Sequence, residues 1–353
     1  MSKVAILGDA HMGARAGSSH FSEYFNSFFE GTFYPYLIEN GIREIIQLGD
    51  LFDDRKHLSL KAFYTCKPVW FDNLAKHGIR MHVLLGNHDI TMRESLRINT
   101  PESLLTEYIK SGTVVVYNKP TQLDLYGTKF DIIPWICEEN KSEVAKFMKR
   151  GVIGDICVGH FEIAGFKMYR NVEGHGGLDR SAFERYERTF SGHYHTRSES
   201  EYPNIRYTGT PYEITWMDCN DPRGFDIFDT GTRQVEFVRN ENCMFHKIIY
   251  RGEETKAPTG LSGKFVKVVA EKKDGLYKFD QFIQSIREQN PYDLSIVENL
   301  SEVYSDIDED VAIEDTLSIV DSYIQNSDID DKIKDRVKQY IGGLYTEALN
   351  DRV

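Results

Sequence analysis

Along the first 110 residues, short unbroken apolar runs alternate with longer segments of helical spacing. Residues 4–8, 44–49 and 80–85 each form a brief apolar run that reads as a buried strand. Between them, 21–39 and 60–77 repeat their apolar positions every three or four residues and read as helices. The second is predicted to bend at Pro68, which has no N–H to donate. A helix near 101–110 follows. Such alternation predicts α/β layers, with ligands gathered beyond the carboxyl ends of the strands.

From about residue 113 the pattern turns strand-rich. Strands are predicted at 113–117, 122–126, 129–133, 155–159, 188–191, 205–207, 224–228 and 234–238, with helices at 141–149 and 179–185. Residues 1–240 therefore read as one α/β domain, a β-sandwich flanked by helices. A smaller α+β unit, 244–298, follows as strand 246–250, strand 264–270, helix 279–288 and strand 294–297. Residues 299–310 form a charged linker. The tail, 311–353, reads as a helix pair, because Ile313, Leu317, Val320 and Ile324, then Ile329, Ile333, Val337, Ile341, Leu344 and Ala348, recur at helical spacing. Gly342 and Gly343 weaken the second helix by roughly 1 kcal/mol each.

Composition sharpens this picture. With 353 residues, 41% of them hydrophobic, the chain has a sizeable core and is neither disordered nor fibrous. A net charge of −13 argues against holding nucleic acid by bulk electrostatics. The charge is not spread evenly, however. Residues 298–331 contain twelve acidic side chains and no Lys or Arg, which leaves −1 for the other 319 residues. The acidity thus belongs to the linker and tail. Five scattered cysteines without a C-x-x-C pair predict reduced thiols in a cytoplasm, and any metal site must be built from His, Asp and Asn. The N-terminal apolar run is too short for a secretory leader, and no run approaches the roughly 20 residues of a membrane span. A soluble, cytoplasmic protein without a membrane partner is expected.

Five motifs stand out, each just after a predicted strand: Asp9-Ala-His11, Gly49-Asp50-Leu-Phe-Asp53, Gly86-Asn87-His88-Asp89, Gly159-His160 and Gly192-His193-Tyr-His195. One Asp or His at a strand end is ordinarily a turn residue or a hydrogen-bonded core histidine. Five in succession at strand ends suit a pair of divalent ions. Imidazole favours Mn²⁺, Fe²⁺ or Zn²⁺, carboxylate and amide oxygens accept harder ions, and a shared carboxylate holds two ions about 3.5–4 Å apart. In Asp9-x-His11 and His193-x-His195, residues two apart share a side if the strand geometry continues.

This ordered set resembles the calcineurin-like metallophosphoesterases. Within them it is most similar to the SbcD-type DNA repair nucleases, including a phage-encoded branch that acts in recombination. Ile132-Ile-Pro-Trp135, Tyr207-Thr-Gly-Thr-Pro211 and Asp221-Pro-Arg-Gly-Phe225 carry the same resemblance. The resemblance implies an α/β/β/α metallophosphoesterase sandwich with a small capping domain. It further implies that Asp9, His11, Asp50 and His195 hold one metal, while Asp50, Asn87, His160 and His193 hold the other. His88 would act at the scissile phosphate. Asp53 would act on the substrate side or orient a ligand, and Asp89 would orient His88 or cap a helix. The two ions would be Mn²⁺, with Mg²⁺ possible. The implied activity is a 3′-to-5′ exonuclease on duplex DNA and an endonuclease on single strands, in recombination, repair and replication. The implied partners are DNA, an SbcC-type coiled-coil ATPase docked on the tail helices, and a second copy of the chain. The homodimer would form through the helices around 60–77 and 95–110, although Phe63, Val69, Trp70, Phe71 and Leu74 in that region equally suit a core. In a phage setting the compartment is the host cytoplasm. Two other readings stay open: a phosphatase or phosphodiesterase of small substrates, and a scaffold subunit that regulates the ATPase.

Overall fold

The apolar runs at the start of the chain become the strands Lys3–Leu7, Glu44–Gln47 and Arg80–Leu84, which lie parallel to one another and to Val114–Tyr117. Gly224–Asp229 joins the free edge of Lys3–Leu7 antiparallel, and Val235–Arg239 completes a six-stranded sheet. A second sheet runs in the order Ser198–Ser200, Ile205–Tyr207, Arg188–Gly192, Ile156–His160, Thr128–Ile133, Thr121–Leu125. Its four inner strands are parallel and its two edges antiparallel. The structure, a computed structural model, describes residues 2–169, 172–173, 177–252, 254–272, 275–297 and 334.

The strands read as unbroken apolar runs because both faces are covered. Val4, Ile6, Ile46 and Leu84 of the first sheet meet Phe130, Ile132, Ile156, Val158 and Phe190 of the second, in a layer between the sheets. The alternate residues Ala5, Leu7, Ile45, Met81 and Val83 face helices on the outside. Cys157 and Ile133 do the same on the second sheet, against Val144 and Phe183. The result is a sandwich of two mixed sheets with helices on both outer faces.

The expected bend at Pro68 is a widened turn. The helix Leu60–Lys67 passes through a π-helical turn, Pro68–Asp72, into Asn73–His77. A second π turn, Phe29–Phe33, joins Ser19–Phe28 to Tyr34–Glu39. The two wide turns meet: the Phe29 and Trp70 rings are 4.3 Å apart, and the Trp70 indole donates to Asn26 Oδ1 at 2.9 Å. Phe63, Trp70, Phe71 and Leu74 are buried in this chain's own core, with Val69 packed against it. Leu60, Tyr64, Met92 and Ile98 are the large apolar side chains of this region that are more than half exposed.

Some expectations need correction. Residues 95–99 are not helical; Ser95–Asn99 pairs antiparallel with Ile90–Met92, because Ile90 and Leu96 bury against Leu85. Only then do two short helices follow, Thr100–Leu104 and Thr106–Ser111. Around 179–185 there is one 3₁₀ turn, Arg180–Phe183. Ser198–Ser200 has no apolar signal and becomes a strand through its ladder to Ile205–Tyr207.

Toward the carboxyl end, Phe245–Tyr250, Phe265–Ala270 and Asp293–Val297 form a parallel three-stranded sheet. The helix Leu276–Arg287 packs on it through Phe279, Phe282 and Ile286. This unit leans on Ser19–Phe28: His20 stacks on Tyr292 at 4.0 Å, with Nε2 2.7 Å from the Gly263 carbonyl. The Glu213 carboxylate accepts the N–H groups of Met244 and Phe245 at 2.6 and 2.8 Å. The linker 299–310 and, apart from residue 334, the helix pair 311–353 lie outside the described residues. No helix among the described residues is long and apolar enough to cross a membrane.

Candidate metal centre

All five motifs lie at the carboxyl ends of parallel strands, three from the first sheet and two from the second. The reason they converge is not the continued strand alternation that the sequence suggested. The first strand stops at Leu7, and His11, Asp50 and His193 hold left-handed backbone, with φ of +45°, +51° and +87°. Such conformations cost roughly 1–3 kcal/mol each and persist only where their surroundings enforce them. The loops also approach very closely. A Cβ on Gly86 would lie 2.2 Å from Asp50 Oδ1, and one on Gly192 would lie 2.4 Å from Asp9 Oδ1. Only glycine fits at either place.

Two groups of ligand atoms result. In the first, His11 Nε2 is 3.0 Å from His195 Nε2, which is 3.9 Å from Asp9 Oδ2. In the second, His160 Nε2 is 2.8 Å from Asn87 Oδ1 and 3.2 Å from Asp50 Oδ2, and His193 Nδ1 is 3.1 Å from Asn87 Oδ1. Asp50 Oδ2 also lies 3.9 Å from His11 Nε2, so one carboxylate reaches both groups.

The donor set fits cations. His160 Nδ1 is 2.8 Å from the Leu48 carbonyl, which can only accept, so Nδ1 carries the proton. In the neutral ring, Nε2 is then a lone pair facing two further acceptors, Asn87 Oδ1 and Asp50 Oδ2. A positive charge must sit among them. Asp9 Oδ1 is buried with no hydrogen-bond partner. Without a metal ion, protons fill the role. Burial alone would push His160 down, but the charge and hydrogen bond of Asp50, with Asp9, hold it up at about 9. For His11, burial is again outweighed, here by Asp53, Asp50 and Asp9, and it too rises to about 9. Burial raises Asp9 to about 7, against the pull of His160. Burial also works on Asp50, but His160, His88 and His11 hold it well below the usual carboxylate range. Burial and then His160 press His193 down to about 3; burial, His11 and Arg223 press His195 well below its ordinary value. Both therefore offer lone pairs at neutral pH.

Residues 2–197 match the calcineurin-like phosphoesterase family. The chain belongs to that family. It is also 34% identical over 351 residues to exonuclease subunit 1 of Enterobacteria phage T4, covering 98% of this chain and 99% of the relative.

Around this phosphoesterase centre, His88 and Asp53 stand together beside His11. Asp53 Oδ1 is 3.0 Å from His11 Nδ1, and the Asp53 carbonyl is 2.5 Å from His88 Nδ1. The His88 and His11 ring centroids are 5.1 Å apart. Asp89 neither orients the His88 ring nor caps a helix. Its buried carboxylate accepts N–H groups from Phe52 at 3.0 Å and Gly86 at 2.9 Å, tying two metal-site loops together. Other supports were not legible as such in the sequence. Tyr212 donates to the Ala10 carbonyl, and buried Arg223 donates to the His195 carbonyl and to Thr210 Oγ1. Arg223 is balanced by Asp218 and Asp221, each at 2.8 Å. Asp218 and Asp221, close before Arg223 in sequence, are the one local hint that its guanidinium is buried with carboxylate partners.

Proposed function

We propose that the chain is the nuclease subunit of a DNA-processing complex. It would be a Mn²⁺-dependent, Mg²⁺-tolerant phosphodiesterase with 3′-to-5′ exonuclease activity on duplex DNA and endonuclease activity on single strands. The observation that supports this most is the convergence of Asp9, His11, Asp50, Asn87, His160, His193 and His195 into two adjoining groups spanned by Asp50 Oδ2. The name of the phage relative, an exonuclease subunit, points the same way.

Two divalent ions in these groups lower the pKa of water and offset the charge that builds on a phosphate ester. The chain's own residues prepare the site for that chemistry. Leu48 O keeps the Nδ1 proton of His160 and so leaves its Nε2 as the ligand atom, while the Asp53 carboxylate lies 3.0 Å from His11 Nδ1. His88 keeps its Nδ1 proton on the Asp53 carbonyl, so Nε2 is the nitrogen left to exchange a proton with the leaving 3′-oxygen. Its peptide N–H is held by Asp50 Oδ1 at 2.8 Å, which couples its position to the spanning carboxylate.

The decisive experiment compares wild type and His160→Ala on linear duplex DNA with Mn²⁺, with nitrophenyl phosphate in parallel. Loss of DNA cleavage by at least about a hundredfold is expected. Equal activity of the two proteins would remove the dimetal assignment. Efficient nitrophenyl phosphate hydrolysis without DNA cleavage would favour a small-substrate phosphatase.

Two partner assignments belong to the same reading. Residues 311–353, whose apolar positions recur at helical spacing, would dock an SbcC-type ATPase. The exposed Leu60, Tyr64, Met92 and Ile98 serve as the face of a homodimer, since Phe63, Trp70, Phe71 and Leu74 are already spent on the core. In sedimentation experiments, Tyr64→Glu with Ile98→Glu is expected to convert a dimer to monomer. Wild type that sediments as a monomer at tens of micromolar would refute that face.

A further inference from the structure

His193 differs from His160, its neighbour in the second group, in how it is held. His160 is anchored through its second nitrogen by the Leu48 carbonyl. Among the described residues, His193 has one polar partner for its ring, Asn87 Oδ1, which lies on the side of the second ligand group. None of the described residues offers an acceptor to its other nitrogen. Three aromatic rings surround it instead. Trp135 has its centroid 5.2 Å away at an interplanar angle of 44°, His160 lies at 5.1 Å, and Tyr194 at 5.3 Å. Trp135 also reaches the His160 ring at 5.8 Å. Its indole thus touches both imidazoles of the second group.

The backbone at Trp135 is built to hold it there. Its N–H donates to the Leu85 carbonyl at 2.7 Å, and its carbonyl accepts from Asn140 Nδ2 at 2.9 Å. Asn140 in turn accepts the N–H of Cys137 at 2.8 Å. The first of these bonds links the end of Thr128–Ile133 in the second sheet to the segment after Arg80–Leu84 in the first, two residues before Asn87. The partly buried side chain packs against the cluster of Leu85, Ile90, Leu96 and Cys137.

The geometry points to Trp135 as a positioning residue for the second metal ion: its indole replaces the missing hydrogen bond and fixes the plane of the His193 ring. This rests on the dimetal reading above. Aromatic packing fixes ring orientation, and loss of a group that orients a ligand typically weakens metal binding by about 10- to 100-fold.

The test uses the full chain, stripped of metal and titrated with Mn²⁺ in a calorimeter. Wild type is expected to bind two ions. Trp135→Ala should bind the first unchanged and the second at least about tenfold more weakly, whereas Trp135→Phe should restore the second. Trp135→Leu, which keeps apolar volume against Leu85 and Leu96, should behave as Trp135→Ala and guards against simple unfolding. Fluorescence gives an independent readout, because Trp70 packs on Phe29 and Trp216 on Phe245. Mn²⁺ should quench wild-type tryptophan emission, and most of that quenching should vanish in Trp135→Phe. Two unchanged affinities in both Trp135→Ala and Trp135→Leu would overturn the inference. So would unchanged affinities with only a raised KM for DNA, which would make Trp135 a substrate contact. A wild type that binds no second ion would instead fail the dimetal reading itself.

Discussion

At the scale of single residues, the centre is set by close approach and by shared charge. Gly86→Ala is expected to displace the Asp50 carboxylate, since the added Cβ falls 2.2 Å from Oδ1. Mn²⁺ affinity measured by calorimetry should drop at least about tenfold while the circular dichroism spectrum is kept. Protonation gives a second prediction. His11 and His160, held at about 9 in the metal-free protein, stabilise the fold fully below their ordinary range near 6.5 and lose that contribution as pH climbs through 9. The thermal midpoint of the metal-free protein should therefore fall between pH 7 and 9. Over the same interval Mn²⁺ affinity should rise, because binding displaces those protons, and calorimetry in buffers of different ionisation enthalpy should detect their release. The identities of the ligand candidates were readable in the sequence because each motif needs a glycine or an acid at a fixed offset from a strand. Their geometry was not. Left-handed backbone at His11, Asp50 and His193 has no signature in residue type, since none of the three is glycine. The helper residues Tyr212, Arg223 and Asp89 act through backbone groups far away in sequence, which no local pattern reports.

Between elements, the two π turns illustrate how far periodicity carries. Helical spacing located both helices, and Pro68 located the irregularity, but only the mutual packing of Phe29 and Trp70 explains why both helices widen at the same place. Trp70 fills that junction and donates to Asn26. Trp70→Ala is expected to cost about 3–5 kcal/mol in urea unfolding while leaving the number of bound ions unchanged. Residues 95–99 form a strand rather than the start of a helix, and their few apolar positions do not separate the two. Ile90 and Leu96 suit either a helix face or a hairpin, and burial against Leu85 decides between them. Ser198–Ser200 carries no apolar residue, so its strand comes wholly from its neighbour's ladder.

For the whole molecule, the metal centre spans the seam of the sandwich: Asp9, Asp50 and Asn87 follow strands of one sheet, His160 and His193 follow strands of the other. Ions bound there would cross-link the two sheets. Saturation at a hundred times Kd should stabilise the fold by about 2.7 kcal/mol per ion, read as a rise in thermal midpoint that a chelator reverses. The distribution of charge was fully legible, since counting acids needs no geometry. With −1 on the residues outside 298–331, the chain alone is expected to bind DNA weakly; tight partner-free binding at physiological salt would contradict this. The strand order has one more consequence, for how the molecule is made. Lys3–Leu7 leaves the ribosome well before its antiparallel neighbour Gly224–Asp229, which follows more than two hundred residues later. A nascent chain that already contains every ligand, through His195, still has an open strand edge and lacks Arg223 beneath its last histidine. A fragment ending at 197 would hold the complete chemical recipe and should nonetheless aggregate, and the full chain should refold slowly after dilution from denaturant.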